Sequence, residues 1–151
     1  MTSVPGMSPY AIEAARPADL ANIRWVLEFE GLPSADITEQ SLESFLVYRD
    51  AIGIAGVVGL EPFGEVGLLR SLVVADGHLR RGVGKRLVAA AEALAGKLDI
   101  RAIFLLTTTA ESYFQALGFR PIKRDSEPPA IKRCSQFQSL CPSSAVLMVK
   151  P

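Results

Sequence analysis

The sequence predicts an α+β domain, a mixed β-sheet with helices on both faces. Two observations carry that expectation. Three strand-type segments follow one another in mid-chain: Phe45 to Tyr48, Ile52 to Leu60 and Val66 to Val74. They are separated by Arg49-Asp50 and by Pro62-Phe63-Gly64, which is turn chemistry and makes an antiparallel meander. From Val83 onward the pattern changes, and helical stripes alternate with short β-branched runs.

Taken in order, Tyr10 to Ala15 alternates weakly and reads as a first strand. Arg16-Pro17-Ala18-Asp19 opens a helix, with proline in the first turn and an acid at the positive end of the dipole. Leu20, Ile23 and Leu27 then fall on one helical face, and Gly31-Leu32-Pro33 ends it. A shorter helix is expected from Thr38 to Ser44, before the meander. Val83, Leu87, Val88, Ala91, Leu94 and Ala95 form the next apolar stripe, with Lys85, Arg86 and Glu92 turned away. Arg101 to Leu106 is a strand. Thr108-x-x-Glu111 has the form of a capping box, so a helix is expected from Thr108 to Gly118. Arg120 to Lys123 and Ala145 to Lys150 supply two last strands around a proline-rich loop. The expected order is β-α-α-β-β-β-α-β-α-β-β.

The bulk composition narrows the function classes. A chain of 151 residues fits one domain with a real core, here residues 10–151, with residues 1–9 read as a flexible N-terminal extension. Sixteen basic and sixteen acidic residues cancel, so no charge excess favours nucleic acid or an anionic membrane surface. The longest apolar runs are only strand-length, which predicts no membrane span. Met1 to Tyr10 lacks the basic and apolar regions of a secretory signal. Cys134 and Cys141 are too few for a disulfide framework, and the expected compartment is the cytoplasm. With a single, distant His78 they are also too few for a structural zinc site, so no metal is expected.

Chemistry concentrates in one segment. The buried-strand pattern Leu68 to Val74 runs through a short turn into Leu79-Arg80-Arg81-Gly82-Val83-Gly84-Lys85, which opens a helix. Gly82 and Gly84 let the backbone close on an anion, and the free N–H groups of a first helical turn point at it. Arg80, Arg81 and Lys85 add positive charge. A pyrophosphate fits such a loop. Walker A chemistry needs a glycine at 79 and a hydroxyl after the lysine, where this chain has Leu79 and Arg86. A dinucleotide fingerprint needs a glycine at 87, where Leu87 stands.

The loop and its surroundings resemble the GNAT superfamily of N-acetyltransferases. That family has Arg/Gln-x-x-Gly-x-Gly/Ala after its fourth strand and a later helix ending in Leu-Gly-Phe, here Leu117-Gly118-Phe119. The resemblance covers about Ala11 to Lys150. It implies the GNAT acyl-CoA N-acyltransferase fold and acetyl-coenzyme A as cosubstrate. By that resemblance the backbone of Leu72, Val73 and Val74 binds the pantetheine arm, and residues from Leu79 to Lys85 bind the pyrophosphate. Thr107 and Phe114 are further cofactor-binding candidates, and the fourth and fifth strands splay to admit the thioester. The family's usual Arg/Gln falls on Leu79, with Arg80 and Arg81 beside it. Its frequent tyrosine acid falls on Phe114, and Tyr113, about 100° round the helix, is the alternative acid or a core residue.

The resemblance also implies that a backbone N–H around Val73 polarises the thioester carbonyl. Glu61 and Glu65 flank the turn between the third and fourth strands and are the candidate general bases. Arg70 stands within Leu68-Leu69-Arg70-Ser71-Leu72 and needs a partner if buried. It is either an ion-pair partner of Glu65 or Glu61, or a clamp for a substrate carboxylate or oxyanion. Four segments resemble the acetyltransferases of bacterial arsenic-resistance operons, the ArsN group. They are Gly59-Leu60-Glu61, Gly67 to Val74, Leu105 to Ala110 and Leu140 to Ala145. That likeness points to a small amine acceptor, such as an amino-acid-like toxin bearing an arsenic or phosphorus oxyanion. Acetylation of a polyamine or a protein N-terminus, and acyl-CoA sensing without turnover, are the alternatives. A homodimer paired through the last strand is the expected assembly.

Overall fold

The computed structural model describes residues 11–32, 34–75, 82–133 and 145–151. Among the described residues, seven strands and four α-helices are defined. The strands are β1 (Ile12–Ala14), β2 (Phe45–Arg49), β3 (Ile54–Phe63), β4 (Val66–Val74), β5 (Ala102–Thr107), β6 (Arg120–Ile122) and β7 (Val146–Lys150). The helices are α1 (Leu20–Phe29), α2 (Val83–Lys97), α3 (Glu111–Ala116) and α4 (Pro129–Lys132). The strands form one sheet in the order β1-β2-β3-β4-β5-β7-β6. It is mixed, as the sequence predicts: β4 pairs parallel with β5, whereas β1 with β2, β2 with β3, β5 with β7 and β6 with β7 are antiparallel. The first strand is shorter than expected, and Tyr10 lies outside the described residues.

Three local expectations need correction. The helix expected over Thr38 to Ser44 is a single 3₁₀ turn, Ser41–Ser44. The hydroxyls of Thr38 and Ser41 account for this. Ser41 Oγ accepts from the Thr38 amide at 2.7 Å, and Thr38 Oγ1 accepts from the Ser41 amide at 3.3 Å. Hydroxyls that bond nearby backbone compete with helical hydrogen bonding. The third strand begins at Ile54, not Ile52, because Asp50 Oδ1 takes the amides of Ile52 and Gly53 at 2.8 and 2.9 Å and holds them in a turn. Finally, α3 begins at Glu111, with no side-chain cap. Thr107, not Thr108, supplies the local hydroxyl, accepting from the Ala110 amide at 3.0 Å.

The chain divides into two compact units. One comprises the residues up to Gly59 together with Ser71–Ala91; the other comprises Leu60–Arg70 with Glu92–Pro151. The first unit has its core in Ile23, Leu27, Ile37, Phe45, Val47 and Val73. α1 contributes Ile23 and Leu27 to it, as the helical spacing predicts, while Trp25 and Phe29 stack on its exposed side at 5.3 Å. Arg49 ties this unit's edge together, donating to Glu13 at 2.6 Å and to Asp19 at 2.7 Å. The Arg16 amide also donates to Asp19, at 2.8 Å. The second unit packs Leu68, Phe104, Ile131, Leu147 and Val149. There Lys150 Nζ donates to Glu92 and to the Leu117 carbonyl, both at 2.9 Å, and lies over the Phe119 ring.

Asp19 makes the first unit sensitive to acid. Burial alone pushes its carboxyl pKa up, but the hydrogen bonds from Arg49 and the Arg16 amide, with their charges, bring it below the usual value of 3.8. A depressed carboxyl contributes stability above the unfolded pKa and loses it as pH falls through the folded one. Melting temperature should therefore fall in the wild type as pH drops below about 4. Asp19→Asn should cost roughly 1–2 kcal/mol at neutral pH and flatten that acid limb. An unchanged limb in Asp19→Asn would place the acid sensitivity elsewhere.

Candidate functional site

β4 carries most of the candidate residues and departs from a regular strand. Leu68, Leu69 and Arg70 are buried in succession, where strict alternation would expose every second side chain. Ser71 follows with φ 61, a left-handed conformation inside a strand. Such a residue interrupts the pleat and turns the following peptide groups, as at a β-bulge. Beyond it Val73 packs into the core of the first unit, while Leu72 and Val74 are half-buried. Nothing in the sequence announces Ser71, since serine has no particular liking for positive φ.

The opening of α2 belongs to the same unit. Gly82 has φ 75, and nothing would crowd a Cβ added there, so backbone conformation alone calls for glycine. The Arg86 amide donates to the Gly82 carbonyl at 3.0 Å, which sets the first turn. The amides of Val83, Gly84 and Lys85 lie in that turn, where backbone N–H groups have no intrahelical acceptor. Val83 is buried, Gly84 half-buried and Lys85 exposed. Arg86 lies over the Tyr48 ring at 5.7 Å and so ties the turn to β2. Leu79, Arg80 and Arg81, like His78, Cys134 and Cys141, lie outside the described residues. What is described fits an anion held by backbone amides at a helix N-terminus.

The remaining candidates lie in the second unit. Arg70 Nη1 donates to Glu61 Oε1 at 2.8 Å, so of the two acids weighed for it from sequence, Glu61 is bonded to it. The side chain of Arg70 is 2% exposed and that of Glu61 27%. Glu65 is exposed; its carbonyl takes the Arg101 amide at 2.7 Å, and it borders a cleft with Gly96, Leu98, Asp99 and Arg101. Among the other candidates, none lines that cleft. Tyr113 is 43% exposed and lies edge-on to Phe114 at 5.3 Å, and Phe114 is in turn buried edge-on against Phe119 at 5.8 Å. Partial burial pushes the Tyr113 phenol above its usual pKa, so it stays protonated at neutral pH. Thr107 is half-buried, with its hydroxyl engaged by Ala110. β4 and β5 pair through Val66–Leu68 and Ala102–Phe104, at the first three residues of each strand.

Comparison with known proteins decides the family. The model of the acetyltransferase (GNAT) domain matches residues 41–121, more than half of the chain. The chain belongs to the GNAT acetyltransferase family. An uncharacterised N-acetyltransferase of Chlorobaculum tepidum is 29% identical over 83 residues, covering 54% of this chain and 53% of its own. The chain thus spans about half the length of that curated relative. N-acetylglutamate synthase of Neisseria gonorrhoeae, solved with coenzyme A and N-acetyl-glutamate, superposes with a TM-score of 0.80 at 22% identity. That match covers 93% of this chain and 34% of the synthase. Rv2747 of Mycobacterium tuberculosis, solved with CoA and NLQ, gives 0.79 at 16% identity, covering 93% and 98%. These likenesses establish the GNAT fold expected from the sequence.

For this GNAT domain, no helix among the described residues is long and apolar enough to cross a membrane. The described residues also assemble no group of three or more histidine, cysteine, aspartate or glutamate side chains suited to a metal. The left-handed residue in β4 can be tested by substitution. A β-branched side chain resists positive φ and glycine does not, so Ser71→Val should be less stable than Ser71→Gly by roughly 1–2 kcal/mol in urea unfolding. Equal stabilities would mean that Ser71 relaxes to extended backbone in solution.

Proposed function

We propose that the chain is an acetyl-coenzyme A-dependent N-acetyltransferase acting on the amine of a small molecule. The observation that carries this reading is the left-handed Gly82 opening α2 after the buried, irregular strand β4, within a chain of the GNAT family. The first-turn amides of Val83, Gly84 and Lys85, with Leu79, Arg80, Arg81 and Gly82, hold the cosubstrate's pyrophosphate. The backbone of Leu72, Val73 and Val74 receives the pantetheine arm, and an N–H near Val73 faces the oxygen on which negative charge develops. Thr107 and Phe114 complete the cofactor-binding set; for Thr107 the engaged hydroxyl points to a contact through backbone.

Acetyl-coenzyme A supplies the activated acetyl group. The acceptor must first lose a proton, because an ammonium has no lone pair. As the N–C bond forms, the C–S bond breaks and its electron pair leaves on sulfur. Tyr113 is the proposed acid that protonates this thiolate, and its persistent protonation supports the role. Of the two carboxylates at the β3–β4 turn, Glu61 is held in place by Arg70, whereas Glu65 is exposed. The four segments similar to the ArsN group support an amino-acid-like acceptor bearing an oxyanion, and a cytoplasmic enzyme with a homodimeric assembly is the matching setting.

Free-thiol release with acetyl-coenzyme A and a panel of amino acids, polyamines and phosphorus-containing amino acids tests the reading. Turnover should appear with at least one amine. Gly82→Asp, which puts a negative charge beside the anion, should raise the KM for acetyl-coenzyme A at least about tenfold, equivalent to about 1.4 kcal/mol. Tyr113→Phe should lower kcat about 100-fold while leaving that KM in place. Tight acetyl-coenzyme A binding with no release above hydrolysis for any acceptor would favour a sensor instead.

A further inference from the structure

The cleft beside the β3–β4 turn lies wholly within the second unit. It has a volume of about 550 Å³ and opens between Gly64 and Glu65 on one side and the end of α2 with the approach to β5 on the other. Glu65 immediately precedes β4, whereas the cofactor candidates Leu72 to Val74 stand at the far end of that strand. Three residues of the cleft carry charge: Glu65, Asp99 and Arg101. Val66 is opposite Ala102 in the parallel pair, so Glu65 and Arg101 are neighbours, and the Arg101 amide donates to the Glu65 carbonyl at 2.7 Å. Their opposite charges are nonetheless not joined. Among the described residues, the side chains of Glu65, Asp99 and Arg101 make no ion pair with each other or with any other residue.

Two further residues of the cleft are not the ones the helix alone would favour. Gly96 sits in the last turn of α2, where alanine is the better helix former, and a Cβ built there meets nothing within 4 Å. Packing therefore does not ask for glycine; it leaves the floor of the cleft open. Asp99 takes a left-handed conformation just past the helix, with φ 59, at the position where glycine is usual. The Ile100 amide closes that end on the Ala95 carbonyl at 2.9 Å. Asp99 thus adds a negative charge at the negative end of the α2 dipole, a combination that favours a bound cation.

We propose that this cleft binds a basic α-amino acid. Its carboxylate pairs with the Arg101 guanidinium, its two ammonium groups with Glu65 and Asp99, and its methylene chain runs along Leu98, which is 44% exposed. The cleft offers two negative charges and one positive, and such a ligand carries the reverse. A neutral amino acid leaves one carboxylate unmatched, and a diamine sets a cation against Arg101. Binding here is independent of whether the chain transfers acetyl groups.

The test is a titration of L-lysine into the isotopically labelled full chain at fixed ionic strength, followed by backbone amide NMR. Saturable shifts should centre on Gly64, Glu65, Gly96, Asp99 and Arg101. Three analogues each lack one charged group: cadaverine the carboxylate, L-norleucine the side-chain ammonium, and ε-aminocaproate the α-ammonium. Each should bind at least about tenfold more weakly than lysine. Arg101→Gln should erase the advantage of lysine over cadaverine and keep its advantage over norleucine. Glu65→Gln and Asp99→Asn should each erase one of the other two advantages; asparagine tolerates the left-handed conformation, so the second variant keeps the turn. Gly96→Leu favours the helix, and should melt no lower than the wild type yet lose lysine binding. Shifts that do not saturate, equal affinity for lysine and its analogues, or wild-type lysine binding in Gly96→Leu would overturn the proposal.

Discussion

A guanidinium in the middle of a buried strand constrains everything beside it. Arg70 cannot be neutralised and cannot be left without a counter-charge, so β3 must bring Glu61 to it across the tight turn at Gly64. That requirement fixes how the end of β3 lies against the start of β4, because a slip of one residue would send the Arg70 or Glu61 side chain to the opposite face. The next residue, Ser71, takes a left-handed turn, and only beyond it do Leu72 to Val74 resume an extended path. The strand thus changes character at one point. Before it an ion pair holds the strand; after it Val73 packs into the core of the first unit.

The helix that carries Tyr113 poses a different problem. α3 has six residues and no side-chain cap, and an isolated helix of that length would not persist in water. It is held by tertiary contacts at its end. Phe114 and Phe119 pack edge to face, and Lys150 Nζ donates to the Leu117 carbonyl just past the last turn while pairing with Glu92. The Thr107 hydroxyl does the corresponding work at the start, through the Ala110 amide. Both anchors sit at fixed points of β5 and β7, so the orientation of Tyr113 is inherited from the sheet.

Much of this was legible in the sequence, and for identifiable reasons. The apolar stripe from Val83 to Ala95 and the run from Val66 to Val74 are long and strongly periodic, and the structure places α2 and β4 there. The elements misread were those decided by hydroxyl and carboxylate side chains competing for backbone, at Thr38–Ser41, Asp50 and Thr107. A one-residue difference in which threonine bonds the turn moved the start of α3 by three residues, and no apolar pattern records that choice. The opening of α2 could be read because Gly82 marks it. The pairing of Arg70 with Glu61 rather than Glu65 could not, since both acids flank the same turn and only the register of β3 on β4 selects between them. Ser71 had no sequence signal at all.

The central claim is that backbone amides of β4 and the first turn of α2 hold acetyl-coenzyme A. Titrating it into isotopically labelled protein and following backbone amide resonances by NMR tests this most directly. The account predicts saturable shifts largest at Leu72, Val73, Val74 and at Gly82 to Lys85. Saturable shifts centred elsewhere, with the α2 opening unmoved, or no binding at all, would contradict it.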